Sequence, residues 1–286
     1  LAICGALYTA YFMAPRLRRK VKPAIELMEA LPTVILGFLA GLFFAPFMEV
    51  HLPGIFSWLL ITPISIVLFG YVWANLPEAI RHKIPEGWDP LLLVPWIALV
   101  SWFCFEMSPV LEMWFFDGDM RSWLTNDLGI DFDQRNALVV GAAMGFAVIP
   151  TIFSITEDAI FSVPKHLSYG SLALGATPWQ TMIRVVLPTA SPGIFSAVMI
   201  GMGRAVGETM IVLMATGNTP IMDVNIFEGM RTLSANIAVE MPESEVGGSH
   251  YRILFLAAFV LFLFTFVVNT LAEYVRQRLR NKYSVI

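Results

Sequence analysis

Long apolar segments constrain the fold of this chain more than any other feature of its sequence. They lie at roughly 1–14, 25–47, 54–74, 90–107, 137–157, 193–216 and 252–273. A run of about 20 apolar residues can cross a bilayer as a helix. The runs are continuous and do not alternate with polar residues, as the strands of a transmembrane barrel do. With 57% hydrophobic and 14% charged residues, the sequence predicts an all-α polytopic membrane protein. The first segment is short, and we expect it to be the end of a helix that begins upstream.

The distribution of basic residues predicts the orientation of these segments. Lys and Arg concentrate in the connections 16–22, 80–83, 158–192 and 276–282, which share one face if every segment crosses once. The opposite face has many acidic residues, above all within 108–135. Cytoplasmic loops of membrane proteins carry an excess of Lys and Arg. The basic connections are therefore predicted inside, and 108–135 is predicted outside, as a loop with one short amphipathic piece.

Two charged residues, Arg204 and Glu208, lie within the apolar segment 193–216, in the stretch GMGRAVGETM. An arginine at the centre of a membrane helix costs roughly 2.5–3.5 kcal/mol on insertion scales, and such residues usually serve a function. The i,i+4 spacing predicts an ion pair on one helix face that shares this cost. A pair that only ties two helices together is the alternative. Glu29 is predicted at the cytoplasmic interface, and Pro32 is predicted to kink its helix.

The connection 158–192 has the pattern of two short helices. LSYGSLAL has helical spacing and is followed by Gly175, a favourable residue after a helix C-terminus. PWQTMIRVV begins a second helix with Pro178 in its first turn, and Leu187-Pro188 is predicted to end it. Two short helices on the cytoplasmic surface suit docking into a groove of a partner. An ordinary interfacial loop is the alternative.

The sequence indicates no cofactor site and no enzymatic site. Residues 170–177 resemble a phosphate-binding P-loop, but Ala176 occupies the position of its lysine. The two cysteines and four histidines are scattered, without the spacing of metal ligands. A nucleophile paired with a base is not apparent at a membrane face. We therefore expect no cofactor and no metal in this chain.

Three stretches of the sequence resemble one family of transport proteins. SLALGATPWQTMIRVVLP is similar to the cytoplasmic coupling loop (EAA loop) of ABC importer permeases. GRAVGETMIVLMATGN and APRLRRKVKPAIELMEALPTVILG are similar to the PstC-type permeases of phosphate importers. The resemblance covers about 1–47 and 137–286. Tyr169-Gly170-Ser171 departs from the pattern, because the family commonly has an acidic residue there; Glu157 and Asp158 lie upstream.

The resemblance implies a fold and a division of the chain. It implies an ABC importer permease (MetI-like) core, formed by 1–49 and by 136–286 with its coupling loop at 158–192. Two spans more than the family pattern lie between these parts. We therefore expect an inserted transmembrane hairpin at 50–110 and a periplasmic loop at 111–135.

The resemblance also implies a function and its partners. The chain is expected to be the transmembrane permease subunit of an ATP-driven phosphate importer in the bacterial inner (cytoplasmic) membrane, and not an enzyme. Expected partners are a second permease subunit (PstA-type), a dimer of ATPase subunits (PstB-type) that bind ATP, an external phosphate-binding protein (PstS-type) and the lipid bilayer, with no nucleic acid. A permease for another oxyanion (sulfate, molybdate or phosphonate) and a phosphate-sensing or scaffold subunit are the alternatives.

The resemblance assigns roles to individual residues as well. Arg204 is expected to line an anion path, with Glu208 and Thr209 beside it, because a guanidinium presents a planar fork of donors that matches phosphate oxygens. No catalytic residue is expected. Contacts of the coupling loop with the ATPase are expected from Glu157, Asp158, Ser171, Ala173, Gly175, Ala176, Thr177, Leu187 and Pro188.

Overall fold

The structure of the chain is a computed structural model that describes residues 1–77, 88 and 90–283. Every regular element within these residues is helical, which confirms the predicted all-α class. The predicted basic connection at 80–83 lies outside the described residues.

Helices follow one another along the described chain. They are α1 (Ala2–Tyr11), α2 (Pro15–Glu29), α3 (Thr33–Val50), α4 (Leu52–Asn75), α5 (Pro90–Glu106), α6 (Ser108–Phe115), α7 (Met120–Asp127), α8 (Ala137–Phe161), α9 (Lys165–Ala173), α10 (Pro178–Gly207), α11 (Met210–Ala215), α12 (Leu233–Glu240) and α13 (Ser249–Tyr283). A 3₁₀ turn, Met241–Glu243, follows α12.

Several of these helices are long and apolar enough to cross a membrane. Within the described residues five meet this criterion by themselves, namely α3, α4, α8, α10 and α13. A sixth is formed if Leu91–Glu106 and Ser108–Asp127, which are bent by 41° relative to each other, count as one span. The predicted segment 1–14 is a helix of 10 residues in α1. The helices therefore support a multi-pass membrane protein.

The predicted helix 25–47 is two helices in the structure. α2 ends at Glu29 and α3 begins at Thr33, with a turn between them. The ring of a proline disfavours helical backbone at the residue before it. Leu31, before Pro32, therefore lies between two helices and not inside one kinked helix. The predicted kink at Pro32 is therefore wrong, and Glu29 lies at the C-terminal end of α2.

Two of the long helices contain a π turn just before a proline. The turn Ala40–Phe44 precedes Pro46 in α3, and the turn Met182–Val186 precedes Pro188 in α10. A proline inside a helix lacks an N–H and clashes with the carbonyl four residues earlier. A π turn, which hydrogen-bonds across five residues, lets the helix continue past it. The prediction that Leu187-Pro188 ends the second cytoplasmic helix is therefore wrong, because α10 runs on to Gly207.

The predicted external loop 108–135 contains two helices, α6 and α7, where one short piece was predicted. Asp119 caps α7, since its carboxylate accepts a hydrogen bond from the backbone N–H of Arg121. Met120 and Leu124 are buried on one face of α7, in a cluster with Leu52 and Phe227. The amphipathic part of the loop is thus a folded helix whose apolar face packs against Leu52 and Phe227.

The helices form two compact units. The first contains the described parts of Leu1–Leu36, Ala142–Leu213 and Arg231–Ile286. In this unit α8 and α10 approach closely, because a Cβ on Gly193 would lie only 2.4 Å from the Cβ of Ala159. Small residues allow such contacts between membrane helices.

The second unit contains the described parts of Gly37–Gly141 and Met214–Met230. Here α4 and α5 pack together, and the indole Nε1 of Trp58 donates to the hydroxyl of Ser101 at 2.7 Å. A Cβ on Gly41 would lie 2.5 Å from the carbonyl oxygen of Met214, so only glycine fits at this position without a shift. The proposal that 50–110 is an inserted hairpin stays a prediction.

Candidate functional site

The apolar segment that contains Arg204 is a discontinuous helix. Arg204 lies in the last turn of α10, which ends at Gly207, where a cation interacts favourably with the helix dipole. Glu208 has an extended backbone (φ −66°, ψ 128°), and α11 begins at Met210. The predicted i,i+4 ion pair between Arg204 and Glu208 is wrong, because this spacing brings side chains together only on a continuous helix.

The side chains around the discontinuity hydrogen-bond its backbone. Oε1 of Glu208 accepts from the backbone N–H groups of Met210 and Ile211, at 3.1 and 3.3 Å. The hydroxyl of Thr209 donates to the carbonyl two residues earlier, at 3.3 Å, and the hydroxyl of Ser234 donates to the carbonyl of Glu208, at 3.0 Å. Unsatisfied backbone groups cost several kcal/mol each in a membrane. This local role accounts for Glu208 and Thr209, and their place in an anion path stays a prediction.

Arg204 instead contacts residues from two other helices of the same unit. Its Nη1 donates to the hydroxyl of Thr151 in α8, at 2.8 Å, and lies 3.5 Å from Oε1 of Glu29 in α2. The hydroxyl of Thr151 in turn donates to the same Oε1, at 2.8 Å. We call these three residues the Arg204 triad. A guanidinium, a hydroxyl and a carboxylate from three helices are thus fixed relative to one another.

The contacts within the Arg204 triad leave polar atoms available on both charged residues. All contacts of Arg204 among the described residues use Nη1, so Nε and Nη2 have no partner there. All contacts of Glu29 in the same part of the chain use Oε1, which leaves Oε2 without a partner. The side chains of Arg204 and Glu29 are 30% and 43% exposed. The triad can therefore offer two donor nitrogens and one carboxylate acceptor to a ligand.

The sequence prediction missed two of the three residues of the triad. Glu29 was predicted at the cytoplasmic interface, apart from Arg204, whereas the structure places it in contact with that residue. Thr151 was not identified as a candidate. Each has a weak signal in the sequence, since Glu29 is an acid next to an apolar run and Thr151 interrupts an apolar helix after Pro150.

The predicted coupling loop has the two helices expected of it. α9 ends at Ala173, and Gly175 follows with a φ of +87°, as is common after a helix C-terminus. Thr177 and Gln180 form a reciprocal capping box at the start of α10. The hydroxyls of Ser171 and Thr181 lie 3.0 Å apart and join the two helices. Ala176 lies in the connection, whereas Leu187 and Pro188 lie inside α10 and not at its end.

Glu157 was predicted to contact a partner subunit, but the structure buries it. It lies in α8, its side chain is 0% exposed, and it pairs with Arg18 at 2.9 Å and Lys22 at 2.8 Å. Lys22 also pairs with Asp158, whose side chain is 68% exposed, at 3.1 Å. The hydrogen bond to Glu157 raises the pKa of Lys22 above its ordinary value. Within this chain Glu157 therefore attaches α2 to α8, and its contact with an ATPase subunit stays a prediction.

Metal-binding residues do not cluster in the part of the chain that the structure describes. No group of three or more His, Cys, Asp or Glu side chains there could hold a metal ion. Cys4 and Cys104 are both unpaired, the first exposed and the second buried.

Comparison with known proteins places this geometry in context. Residues 89–281 match the family described as "Binding-protein-dependent transport system inner membrane component". A Bacillus subtilis protein, "Probable ABC transporter permease protein YqgH", is 37% identical over 50% of this chain and 47% of its own length. "Phosphate transport system permease protein PstC" of Pasteurella multocida is 28% identical over 77% of this chain and 70% of its own length.

A third relative extends over nearly the whole chain. "Phosphate transport system permease protein PstC 1" of Mycobacterium tuberculosis is 27% identical over 96% of this chain and 64% of its own length. The chain thus spans about half to seven-tenths of the length of these relatives. The family match contains all of α8 and α10, and therefore Thr151 and Arg204 of the triad. Glu29 lies before residue 89, where this match begins.

Proposed function

Because the chain belongs to the family of binding-protein-dependent transport system inner membrane components, we propose that it is the transmembrane permease subunit of an ATP-driven phosphate importer. Family members are transport subunits and not enzymes. Several relatives carry the name phosphate transport system permease protein. In this proposal the chain forms the anion path, and a separate ATPase subunit hydrolyses ATP.

The observation that carries the choice of an anion is the open edge of Arg204. Its Nη1 is held by Thr151 and Glu29, which fixes the plane of the guanidinium and leaves Nε and Nη2 available. Two parallel N–H groups match two oxygens of a phosphate, and such charge-assisted bonds are roughly twice as strong as neutral ones. Discontinuous helices form substrate and ion sites in many transporters, and Arg204 lies in the last turn of α10, whose C-terminal dipole favours its positive charge.

The presence of Glu29 in the triad suits a path through which an anion must pass. Arg204 and Glu29 together have no net charge, so the triad attracts an anion less strongly than an unpaired arginine does. Conduction requires binding that is favourable enough for entry and weak enough for release. An arginine whose charge is offset by a neighbouring carboxylate, and whose open edge still offers donors to a passing anion, meets both conditions.

The proposed partners are a second permease subunit (PstA-type), a dimer of ATPase subunits (PstB-type) and an external phosphate-binding protein (PstS-type), in the bacterial inner membrane. α9 supports an ATPase contact, because it ends in an exposed apolar surface formed by Tyr169 (65% exposed), Leu172 (37%) and Leu174 (91%). Exposed apolar patches of this kind mark protein contacts. Contacts of Ser171, Ala173, Gly175, Ala176 and Thr177 with the ATPase belong to the same proposal.

The test is ATP-driven uptake of radiolabelled phosphate into proteoliposomes that hold the complete complex. We expect Arg204→Gln to lower the uptake rate by about 100-fold, since a bidentate charge-assisted contact is worth roughly 1.5–3 kcal/mol. The matched control is Arg19→Gln, which should retain uptake. Arg19 is an exposed cation of α2 with no partner among the described residues. Subunit assembly and ATPase activity are measured in the same samples.

Two outcomes would contradict this proposal in different ways. Unchanged phosphate uptake by a fully assembled Arg204→Gln complex would reduce the triad to a structural tie between helices. Uptake of sulfate or another oxyanion by the wild-type complex, with no uptake of phosphate, would overturn the substrate while leaving the permease role in place.

A further inference from the structure

We infer that Glu29 is a specificity-determining residue that selects oxyanions carrying a proton. Its free Oε2 accepts a hydrogen bond from a protonated oxygen of the substrate, while Nε and Nη2 of Arg204 donate to ionised oxygens of the same anion. This inference rests on the proposed function, because it concerns the anion that passes the Arg204 triad.

The contacts of the triad determine which atoms a ligand can meet. Oε1 of Glu29, the hydroxyl of Thr151 and Nη1 of Arg204 are all engaged with one another, at 2.8 to 3.5 Å. These contacts hold the carboxylate beside the guanidinium, so a ligand on the open edge of Arg204 lies next to Glu29. Such a ligand must present acceptors to the arginine and a donor to the carboxylate.

Protonated oxyanions satisfy both requirements, and fully ionised ones do not. Inorganic phosphate and arsenate keep at least one hydroxyl group at neutral pH, so one oxygen can donate to Oε2 while others accept from Arg204. Sulfate has no proton at neutral pH and would place an acceptor against an acceptor. A carboxylate accepts hydrogen bonds but cannot donate them when ionised. Sulfate is therefore disfavoured relative to phosphate and arsenate, because its oxygen would face Oε2 without a hydrogen bond.

The size of the effect follows from the exposure of the site. Sites that are built to hydrogen-bond a substrate hydroxyl reject an analogue lacking it by up to about 10⁴–10⁵-fold when they are fully desolvated. Glu29 is 43% exposed in this chain, and water screens part of the repulsion. We therefore expect roughly 10- to 100-fold discrimination against sulfate at this site.

The chain provides controls that separate selectivity from structural support. Glu29→Gln keeps the shape of the side chain but replaces the carboxylate with an amide, whose N–H can donate to sulfate. Thr151→Val removes the hydroxyl that positions Arg204 and keeps the carboxylate. Glu26→Gln changes a neighbouring acid of α2 that pairs with Lys22 at 3.9 Å and has no contact with Arg204 within the described residues.

The experiment measures anion selectivity in the complex of both permease subunits and the ATPase, in lipid nanodiscs. The external binding protein is left out, because its own selectivity would hide that of the path. Binding of radiolabelled phosphate is competed with unlabelled arsenate and with unlabelled sulfate. In the wild type we expect half-displacement to need at least about tenfold more sulfate than arsenate.

The variants are then compared by this sulfate-to-arsenate ratio. Glu29→Gln is expected to bring the ratio to within about twofold of one. Thr151→Val is expected to weaken the binding of both anions and to keep the ratio. Glu26→Gln is expected to change neither the binding of the anions nor the ratio. A loss of structural support alone would alter affinity without altering the ratio. The ratio therefore reports on the carboxylate itself.

Uptake by the complete wild-type complex separates failure of this inference from failure of the proposed function. Phosphate uptake combined with an unchanged ratio in Glu29→Gln overturns the role of Glu29 and leaves the importer in place. Phosphate uptake without any phosphate binding by the nanodisc complex also overturns it, because the inference requires a site at the triad. Absence of phosphate uptake by the wild type overturns the proposed function.

Discussion

The buried carboxylate of Glu157 allows a prediction in which the same substitution has opposite effects in two backgrounds. Glu157 is 0% exposed, whereas its partners Arg18 and Lys22 are 29% and 27% exposed. When Glu157 is replaced by Gln, the two cations can still be hydrated, and Lys22 keeps Asp158. When both cations are replaced by Ala, the carboxylate stays buried without a partner. Both changes break the ion pairs of Glu157, but at very different cost.

The magnitudes follow from this asymmetry. Glu157→Gln should lower the free energy of unfolding by about 1.5 kcal/mol, the lower end for hydrogen bonds to charged groups. Arg18→Ala combined with Lys22→Ala should lower it by about 3–5 kcal/mol, as expected for a buried charge left unpaired. Part of this cost, about 0.5–1 kcal/mol, is the cation–π contact of Arg18 with Phe161 at 3.5 Å. Adding Glu157→Gln to that double variant should restore roughly 1–2 kcal/mol, because it removes the unpaired charge.

The assay is reversible unfolding of the purified subunit in mixed detergent micelles, followed by circular dichroism. Arg19→Ala is the control for loss of a basic side chain from α2 and should change the free energy of unfolding by less than about 0.5 kcal/mol. A destabilising effect of Glu157→Gln in both backgrounds would refute the reasoning, since it would mean that the carboxylate is not left unpaired. Equal cost for Glu157→Gln and for loss of both cations would refute it as well.

Two further predictions concern packing and capping. Gly41→Ala should lower the free energy of unfolding by about 1–3 kcal/mol, because the added methyl group meets the Met214 carbonyl at 2.5 Å. The control is Gly70→Ala in α4, where an added Cβ meets nothing within 4 Å; this variant should be neutral or stabilising by up to about 1 kcal/mol. Equal effects of the two variants in the same unfolding assay would contradict the packing argument. Thr177→Ala should remove the cap of α10 at a cost of about 0.5–2 kcal/mol. It should also raise the rate of amide hydrogen exchange at Gln180, whose N–H donates to the Thr177 hydroxyl at 3.2 Å. Thr189→Ala, outside the first turn, is the control, and an unchanged exchange rate at Gln180 in Thr177→Ala would contradict the capping role.

The sequence predicted features that depend on neighbouring residues. The apolar runs predicted the helices, since a hydrophobic segment in a membrane must satisfy its backbone internally. Gly175 and Pro178 predicted the turn between α9 and α10, because a positive φ and a proline in the first turn are local requirements. Each of these features is encoded within a few residues.

The features that sequence reasoning missed depend on contacts between residues far apart in the sequence, or on side chains that interrupt a helix within an apolar segment. Glu29 and Arg204 are separated by 175 positions, and no periodicity within either helix indicates their contact. The apolar pattern continues through Glu208, so it predicts an unbroken helix, whereas the hydroxyls of Thr209 and Ser234 stabilise an interruption there. The burial of Glu157 depends on α2 folding back onto α8. Such contacts appear only once the helices are packed.

The π turn of α10 determines the angular relation between the two ends of that helix. An α-helix rotates by about 100° per residue, and the turn Met182–Val186 contains one residue more than an α turn would. The angle around the helix axis between Trp179, before the turn, and Arg204, after it, therefore differs from the angle in an uninterrupted α-helix. The same holds for Trp179 and Gly193. Substitutions that keep Pro188 and the π turn preserve the angle, but an insertion or deletion of a single residue between the turn and Arg204 rotates Arg204 away from Thr151. The length of the segment is thus under stricter constraint than its composition.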